Sequence, residues 1–223
     1  MQYTYDENAG IVQLILDNDN YKHLIKARRQ KVGDFLSFRN LKNSFLYNYK
    51  IISIDKKSAT LELFSSEEKE VEVEKKLHLG WCIVDPKTVE KELSYLNELG
   101  VDKITFFPSD YSQKNFKLNF EKLEKILINS SQQCGRSSII KLESEKSLKE
   151  FILKNPEAYM LNFSLKTVDS VKEEINTIII GCEGGFSKAE IQSFNQEKIV
   201  GFKTPLILKS QTAISAVASK III

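Results

Sequence analysis

Apolar and polar positions change their rhythm near residue 76. Up to about Glu74, short apolar runs are separated by turn residues. "GIVQLIL" (10–16), "DFLSFRN" (34–40), "NSFLYNYKIISI" (43–54) and "SATLELF" (58–64) read as strands. Between the first two, Tyr21, Leu24 and Ile25 recur at helical spacing and predict one short helix. A handful of short strands around a small core suggests a little β-barrel. "SSEEKEVEVEKK" (65–76) is charged with alternating valines, as in a solvent-facing edge strand or a crossover between domains.

From Leu77 onward the pattern alternates between strand and helix. "LHLGWCIV" predicts a strand, and "DPKTVEKELSYLNELG" a helix with Pro86 near its start and Gly100 at its end. Strand "ITFFP", helix "NFEKLEKILINSSQQCG", strand "SIIKLE", helix "SEKSLKEFILKN" and strand "EAYMLNF" follow. "NTIIIG", a helix after Ser187, "KIVGF" and a last helix from about Ser210 complete the chain. Such alternation predicts an α/β fold with a mostly parallel sheet covered on both faces. Ligands of such sheets bind at the carboxyl ends of the strands.

Composition narrows the class. The 223 residues are 42% apolar and 28% charged, as in an ordinary globular protein. No apolar run approaches the length of a membrane span, and the start "MQYTYDENAG" lacks the basic and apolar regions of a secretory signal. Three widely spaced cysteines argue against a disulfide framework, and two histidines give no zinc-ligand spacing. The expectation is a cytoplasmic protein with no structural metal. The net charge of +2 conceals Lys22, Lys26, Arg28, Arg29 and Lys31 within ten residues. That run is either a solvated helix face or a phosphate-binding patch.

Three stretches carry candidate chemistry. In "TIIIGCEGGFSKAE", three of the nine glycines fall between a β-branched strand and a Ser187–Glu190 capping-box pattern. This strand-to-helix turn is not a Walker loop and not a dinucleotide fingerprint. Its glycines serve either the turn itself or a ligand lying against backbone. Glu183 is a loop carboxylate, a ligand acceptor or a proton acceptor. In "VGFKTPLILKSQTAISAVASKIII", the small residues Thr212, Ala213, Ser215, Ala216, Ala218 and Ser219 suit close packing of a helix against a loop or a partner. In "SSQQCGRSSI", Gly135 is a helix stop, and Arg136 is either a surface residue or an anion contact.

Taken in order, these pieces resemble one family. "IGCEGGFSKAE" is similar to its "LGPEGGFSxxE", "LILKSQTAISAVASKI" to "RILRxETAxxxAL", "QQCGR" to "EQSGR", "LNELGVDKI" to "ATELGVxxI", and "HLIKARRQKVGD" to "HLxxVLRxxxGD". This is the RsmE family of 16S ribosomal RNA uracil-N3 methyltransferases, whose target is uracil 1498. The resemblance implies a PUA-like β-barrel RNA-binding domain over 1–70. Over 71–223 it implies a SPOUT methyltransferase domain, in which the chain is tucked into a trefoil knot. It further implies S-adenosyl-L-methionine as cofactor, a homodimer, and 16S ribosomal RNA of the small subunit as partner, with no membrane.

Carried over by position, the cofactor residues are Gly181, Cys182, Glu183, Gly184, Gly185, Leu206, Ile207, Leu208, Ser210, Thr212 and Ala213. The RNA contacts are Lys26, Arg28, Arg29, Lys31 and Arg136. No residue identifies itself as the general base: Glu183 is a weak candidate, with water or the RNA itself as the alternatives. Departures from the family pattern are Cys182 for a proline, Leu206 and Lys209 for two arginines, Gln211 for a glutamate, and Tyr111 for an arginine in the segment after Gly100. A non-catalytic RNA-binding paralogue that keeps the fold is the alternative.

Overall fold

The structure is a computed structural model that describes residues 2–113 and 115–223. It divides into two compact units, Met1–Glu72 with Ile128–Ile139, and Val73–Leu127 with Ile140–Ile223.

In the first unit the elements are β1 (Thr4–Tyr5), β2 (Gln13–Leu16), α1 (Asn18–Tyr21), β3 (Phe35–Arg39), β4 (Phe45–Ile54) and β5 (Ala59–Glu68). The sheet order is β1-β3-β4-β5-β2, antiparallel except where β1 runs parallel to β3. The helix predicted from Tyr21, Leu24 and Ile25 buries those three side chains. Beyond Tyr21 it widens into a π-helical turn, Lys22–Ala27. They join Leu14, Leu16, Phe38, Tyr49, Ile51 and Leu61 in one core. The Tyr49 hydroxyl closes this core by donating to the Ile11 carbonyl and accepting from the Gly10 amide (2.7 and 2.8 Å). The charged stretch 65–76 splits: β5 extends to Glu68, and no strand continues through 69–76.

In the second unit β6 (His78–Cys82), α2 (Pro86–Leu99), β7 (Lys103–Phe107), α3 (Phe120–Cys134), β8 (Lys141–Ser144) and α4 (Leu148–Lys154) come first. β9 (Tyr159–Leu161), α5 (Val168–Val171), β10 (Thr177–Ile180), α6 (Lys188–Ser193), β11 (Ile199–Val200) and α7 (Ser210–Ile222) follow. The second half of α3 groups with the first unit. All six strands are parallel, in the order β11-β9-β10-β6-β7-β8. Local signals explain the boundaries. The Asp85 side chain accepts from the Lys87 amide at the start of α2, and Gly100 ends that helix in a left-handed conformation. The central strands β10 and β6 are buried on both faces, which is why β10 reads as an unbroken apolar run.

At the opposite end of the strands from the glycine turn, a polar cluster crosses the sheet. His78 Nε2 lies 2.8 Å from Thr105 Oγ1, and Lys103 pairs with Glu143 at 3.0 Å. Burial, helped by the Lys103 charge, pulls the His78 imidazole down to about 4. The unfolded chain therefore binds a proton near the usual 6.5 that the folded chain refuses until about pH 4. Stability from this site is complete above pH 6.5 and lost as pH falls towards 4, a difference of about 3 kcal/mol. Urea denaturation between those pH values should therefore show a loss that shrinks by roughly this amount in His78→Asn. Equal losses in both proteins would contradict a buried neutral imidazole.

Candidate functional site

The glycine loop follows β10, and its three glycines answer to different constraints. An added Cβ at Gly181 would lie 3.0 Å from Gly185 Cα, so two backbone segments touch there. Gly185 has φ +69, a left-handed conformation, and its amide donates to the Cys182 carbonyl at 2.9 Å. At Gly184 an added Cβ would meet Tyr111 Cβ at 3.0 Å. The space beside Gly184 therefore belongs to Tyr111. That contact accounts for the missing side chain, while Gly184 also lines the cavity described below.

The Ser187–Glu190 capping box is present at the start of α6. It also reaches outward: Ser187 Oγ donates to the Asp110 carboxylate, and the Asp110 amide donates to Glu190 (2.9 Å). The segment after β7 is thereby fastened to the glycine loop. Tyr111 itself is 55% exposed beyond that contact.

A second wall is fixed by Ser210, the first residue of α7. Its buried hydroxyl accepts from Trp81 Nε1 at 2.9 Å and donates to the Gly181 carbonyl at 2.6 Å. The start of α7, the glycine loop and strand β6 are joined through one atom. Leading into it, the Leu206 amide donates to Thr204 Oγ1 (3.1 Å) and holds the turn that presents Leu206 and Ile207.

These walls enclose a cavity of about 580 Å³ at the carboxyl ends of β9, β10 and β11. Of the cofactor residues expected from the sequence, Gly181, Cys182, Glu183, Gly184, Gly185, Leu206, Ile207, Leu208, Ser210 and Ala213 line it. Thr212 does not; it is exposed on α7. Sequence reasoning missed a third wall, Leu161–Leu165 together with Phe202 and Thr204. The available signal was the rule that strand ends face ligands, applied to β9 and β11 as well as to β10. Most of the lining is apolar, and Phe163 and Ile207 are 77% and 82% exposed. Glu183 is the one charged side chain among the lining residues.

Lys26, Arg28, Arg29 and Lys31 are all exposed on the first unit, and Lys26 Nζ lies 5.3 Å from the Tyr21 ring centroid. Arg136 is placed differently. It is buried, 5% exposed, with Nε 3.0 Å from Glu72, and its carbonyl accepts from the Tyr3 hydroxyl at 2.8 Å. The expected RNA contact is corrected to an internal ion pair, because the turn after Gly135 points Arg136 inward.

Removing the Ser210 hydroxyl leaves a buried indole N–H and a buried carbonyl without their partner. Ser210→Ala should lower unfolding stability by about 2 kcal/mol or more. A thermal or urea midpoint equal to that of the natural chain would contradict the bridging role.

Comparisons with known proteins place the chain. Residues 71–222 match the family model of the RNA methyltransferase domain, and residues 16–64 that of the RNA methyltransferase PUA domain. The ribosomal RNA small subunit methyltransferase E of Helicobacter pylori strain 26695 is 39% identical over 222 residues, covering 98% of each chain. The protein of that name from Aquifex aeolicus is 27% identical over 98% of each chain. Among solved structures, a Legionella pneumophila protein described as a methyltransferase, in complex with the cofactor SAM, has TM-score 0.79 and 26% identity. The match covers 98% of this chain and 95% of that one. The small subunit methyltransferase E of Neisseria gonorrhoeae, bound to S-adenosyl methionine, shares the fold, with TM-score 0.80 at 18% identity over 98% and 95% of the two chains. Full-length similarity and two matched domains in order lead to one conclusion: the chain belongs to the RsmE family of RNA methyltransferases.

Proposed function

We propose that this chain transfers a methyl group from S-adenosylmethionine to N3 of uracil 1498 in 16S ribosomal RNA. The observation that carries the reading is the charge of the cavity. Its apolar walls suit an adenosine, and its one charged lining side chain is the Glu183 carboxylate. An acid with no lysine or arginine among the lining residues favours a cationic ligand and disfavours a phosphate-bearing one. A volume of about 580 Å³ falls within the range of small-molecule sites.

S-adenosylmethionine, when bound, supplies an electrophilic methyl group on a sulfonium. The work of this chain is then to bind and orient. The Gly181–Gly185 loop and the Leu206–Leu208 turn would hold the cofactor, and Ser210 fastens the start of the last helix to the loop. Correct alignment of the acceptor nitrogen can supply roughly 7 kcal/mol or more of the barrier reduction. The uracil N3 proton has to leave, and Glu183 is the side-chain carboxyl group within the cavity lining that could take it. Lys26, Arg28, Arg29 and Lys31 hold RNA backbone on the other unit.

The same reading includes a homodimer. Thr212, Ser215, Ala216 and Ser219 remain partly or fully exposed along α7, and Ile223 is 82% exposed. It also includes the trefoil knot that the family resemblance implies: β11 lies at the sheet edge, while Ser210, at the start of the last helix, is bonded to the Gly181 carbonyl at the end of β10. A cytoplasmic location fits, and among the described residues no helix is long and apolar enough to cross a membrane.

Calorimetry should show S-adenosylmethionine binding, weakened about tenfold in Glu183→Gln, a loss of about 1.4 kcal/mol. Mass spectrometry of ribosomal RNA from a deletion strain should lack N3-methyluridine, and this chain should restore it. Cofactor or RNA binding without restored methylation would favour the non-catalytic paralogue. Replacing Arg28 and Arg29 by alanine should flatten the salt dependence of RNA affinity by about two units of slope. Cofactor affinity should stay the same; its loss would contradict separate roles for the two units.

A further inference from the structure

The outer face of the first unit's sheet carries a group of side chains that methyl transfer does not use. On β3 and β4, Phe35 lies opposite Lys50. Lys50 in turn lies opposite Glu62 of β5, the one carboxylate of this row, which ends at Gln13 of β2. Further along β5 the register shifts. Leu63 faces Tyr49 and Ser65 faces Asn48, so Phe64 is the extra residue of a β-bulge. Bulges re-aim side chains, and this one sets Phe64 and Ser65 side by side on the outer face. Phe64 meets Phe35 edge-on, with ring centroids 4.9 Å apart, although the two remain 67% and 53% exposed. Lys50 Nζ stands 6.0 Å from the Phe35 centroid.

Beside the rings runs a polar row. Ser37 Oγ donates to Asn48 Oδ1 at 2.7 Å, and Asn48 Nδ2 donates to Ser65 Oγ at 3.4 Å. Two exposed aromatic rings cost free energy in water unless something covers them. An apolar protein surface would cover the rings and strand the amide, the hydroxyls and the ammonium. A nucleobase satisfies all of them, with a flat face for the ring and polar edges for Asn48 and the serines. The sugar-phosphate chain would meet Lys50. The basic run ends at Lys31, four residues before Phe35, with Asp34 the one acid between them.

We propose that Phe35 and Phe64 form a stacking platform for unpaired RNA bases, with Ser37, Asn48 and Ser65 meeting base edges and Lys50 the adjoining phosphate. This rests on the RNA methyltransferase reading and deepens it: the substrate offers an unpaired stretch to the first unit, while the cavity proposed for the methyl donor belongs to the second.

The test uses the full chain and two fluorescein-labelled RNAs of equal length, one a uridine-rich single strand and the other a perfect duplex. Anisotropy should show Phe64→Ala and Phe35→Ala each weakening single-strand binding by roughly five- to a hundredfold, the effect of losing one stacked base. Phe64→Tyr should retain affinity. The salt slope should be unchanged, because no phosphate contact is removed. Duplex binding should be little affected, and both alanine variants should keep the natural urea midpoint, since the rings are exposed. Unchanged single-strand affinity in the double variant would overturn the platform. So would unchanged affinity with a changed oligomeric state by light scattering, which would mark a protein interface. If the natural chain methylates ribosomal RNA while the variants keep its KM, the platform alone fails. If it binds single-stranded RNA through these rings and methylates nothing, the reading of the cavity fails instead.

Discussion

The buried Ser210 hydroxyl decides the geometry of the site. It stands between the Trp81 indole and the Gly181 carbonyl, at 2.9 and 2.6 Å. Trp81 lies on a central strand and is fully buried, so its position is set by the sheet. Gly181 begins the loop, and Ser210 begins the last helix. One small polar side chain therefore transfers the rigidity of the core to two segments that would otherwise be surface loops. A larger residue would force them apart, and an apolar one would strand two buried polar groups.

Around that tie the remaining contacts fall into place. Ser187 and Glu190 cap α6 while gripping Asp110, and Tyr111 packs on Gly184. The glycine loop is thus held from both sides. What stays open is the space between Glu183, the 161–165 segment and the Leu206–Leu208 turn. A preformed cavity of this kind spends little free energy on ordering itself when a ligand arrives. Its polarity does the selecting: backbone and apolar carbon on most sides, with one carboxylate.

Signals carried within a few residues were legible in the sequence. The Ser187–Glu190 pair, the Asp85–Pro86 start and Gly100 end of α2, and the apolar run of β10 depend only on local geometry. So did the apolar spacing of Tyr21, Leu24 and Ile25, although the switch to a π-helical turn gave no sign. Signals that depend on distant partners were not legible. Arg136 looks like any arginine after a helix stop until Glu72 is seen beside it. Gly184 lines the cavity, but nothing near it in the sequence signals that Tyr111, more than seventy residues earlier, packs against it. β1 and α5 are two and four residues long, too short for any period to register. The resemblance of "IGCEGGFSKAE" and "LILKSQTA" to family motifs located two walls of the cavity, while the wall at Leu161–Leu165 carries no motif and emerged only from the fold.

Amide hydrogen exchange of the full chain, with and without saturating S-adenosylmethionine, tests the central claim most directly. Ser210 makes the glycine loop and the 204–210 segment one mechanical unit around one ligand. The account predicts that amides of residues 181–186, 204–210 and 161–165 slow together on addition of the cofactor, while those of the first unit exchange as before. Slowing confined to one of these segments, or found mainly in residues 2–72, would contradict it.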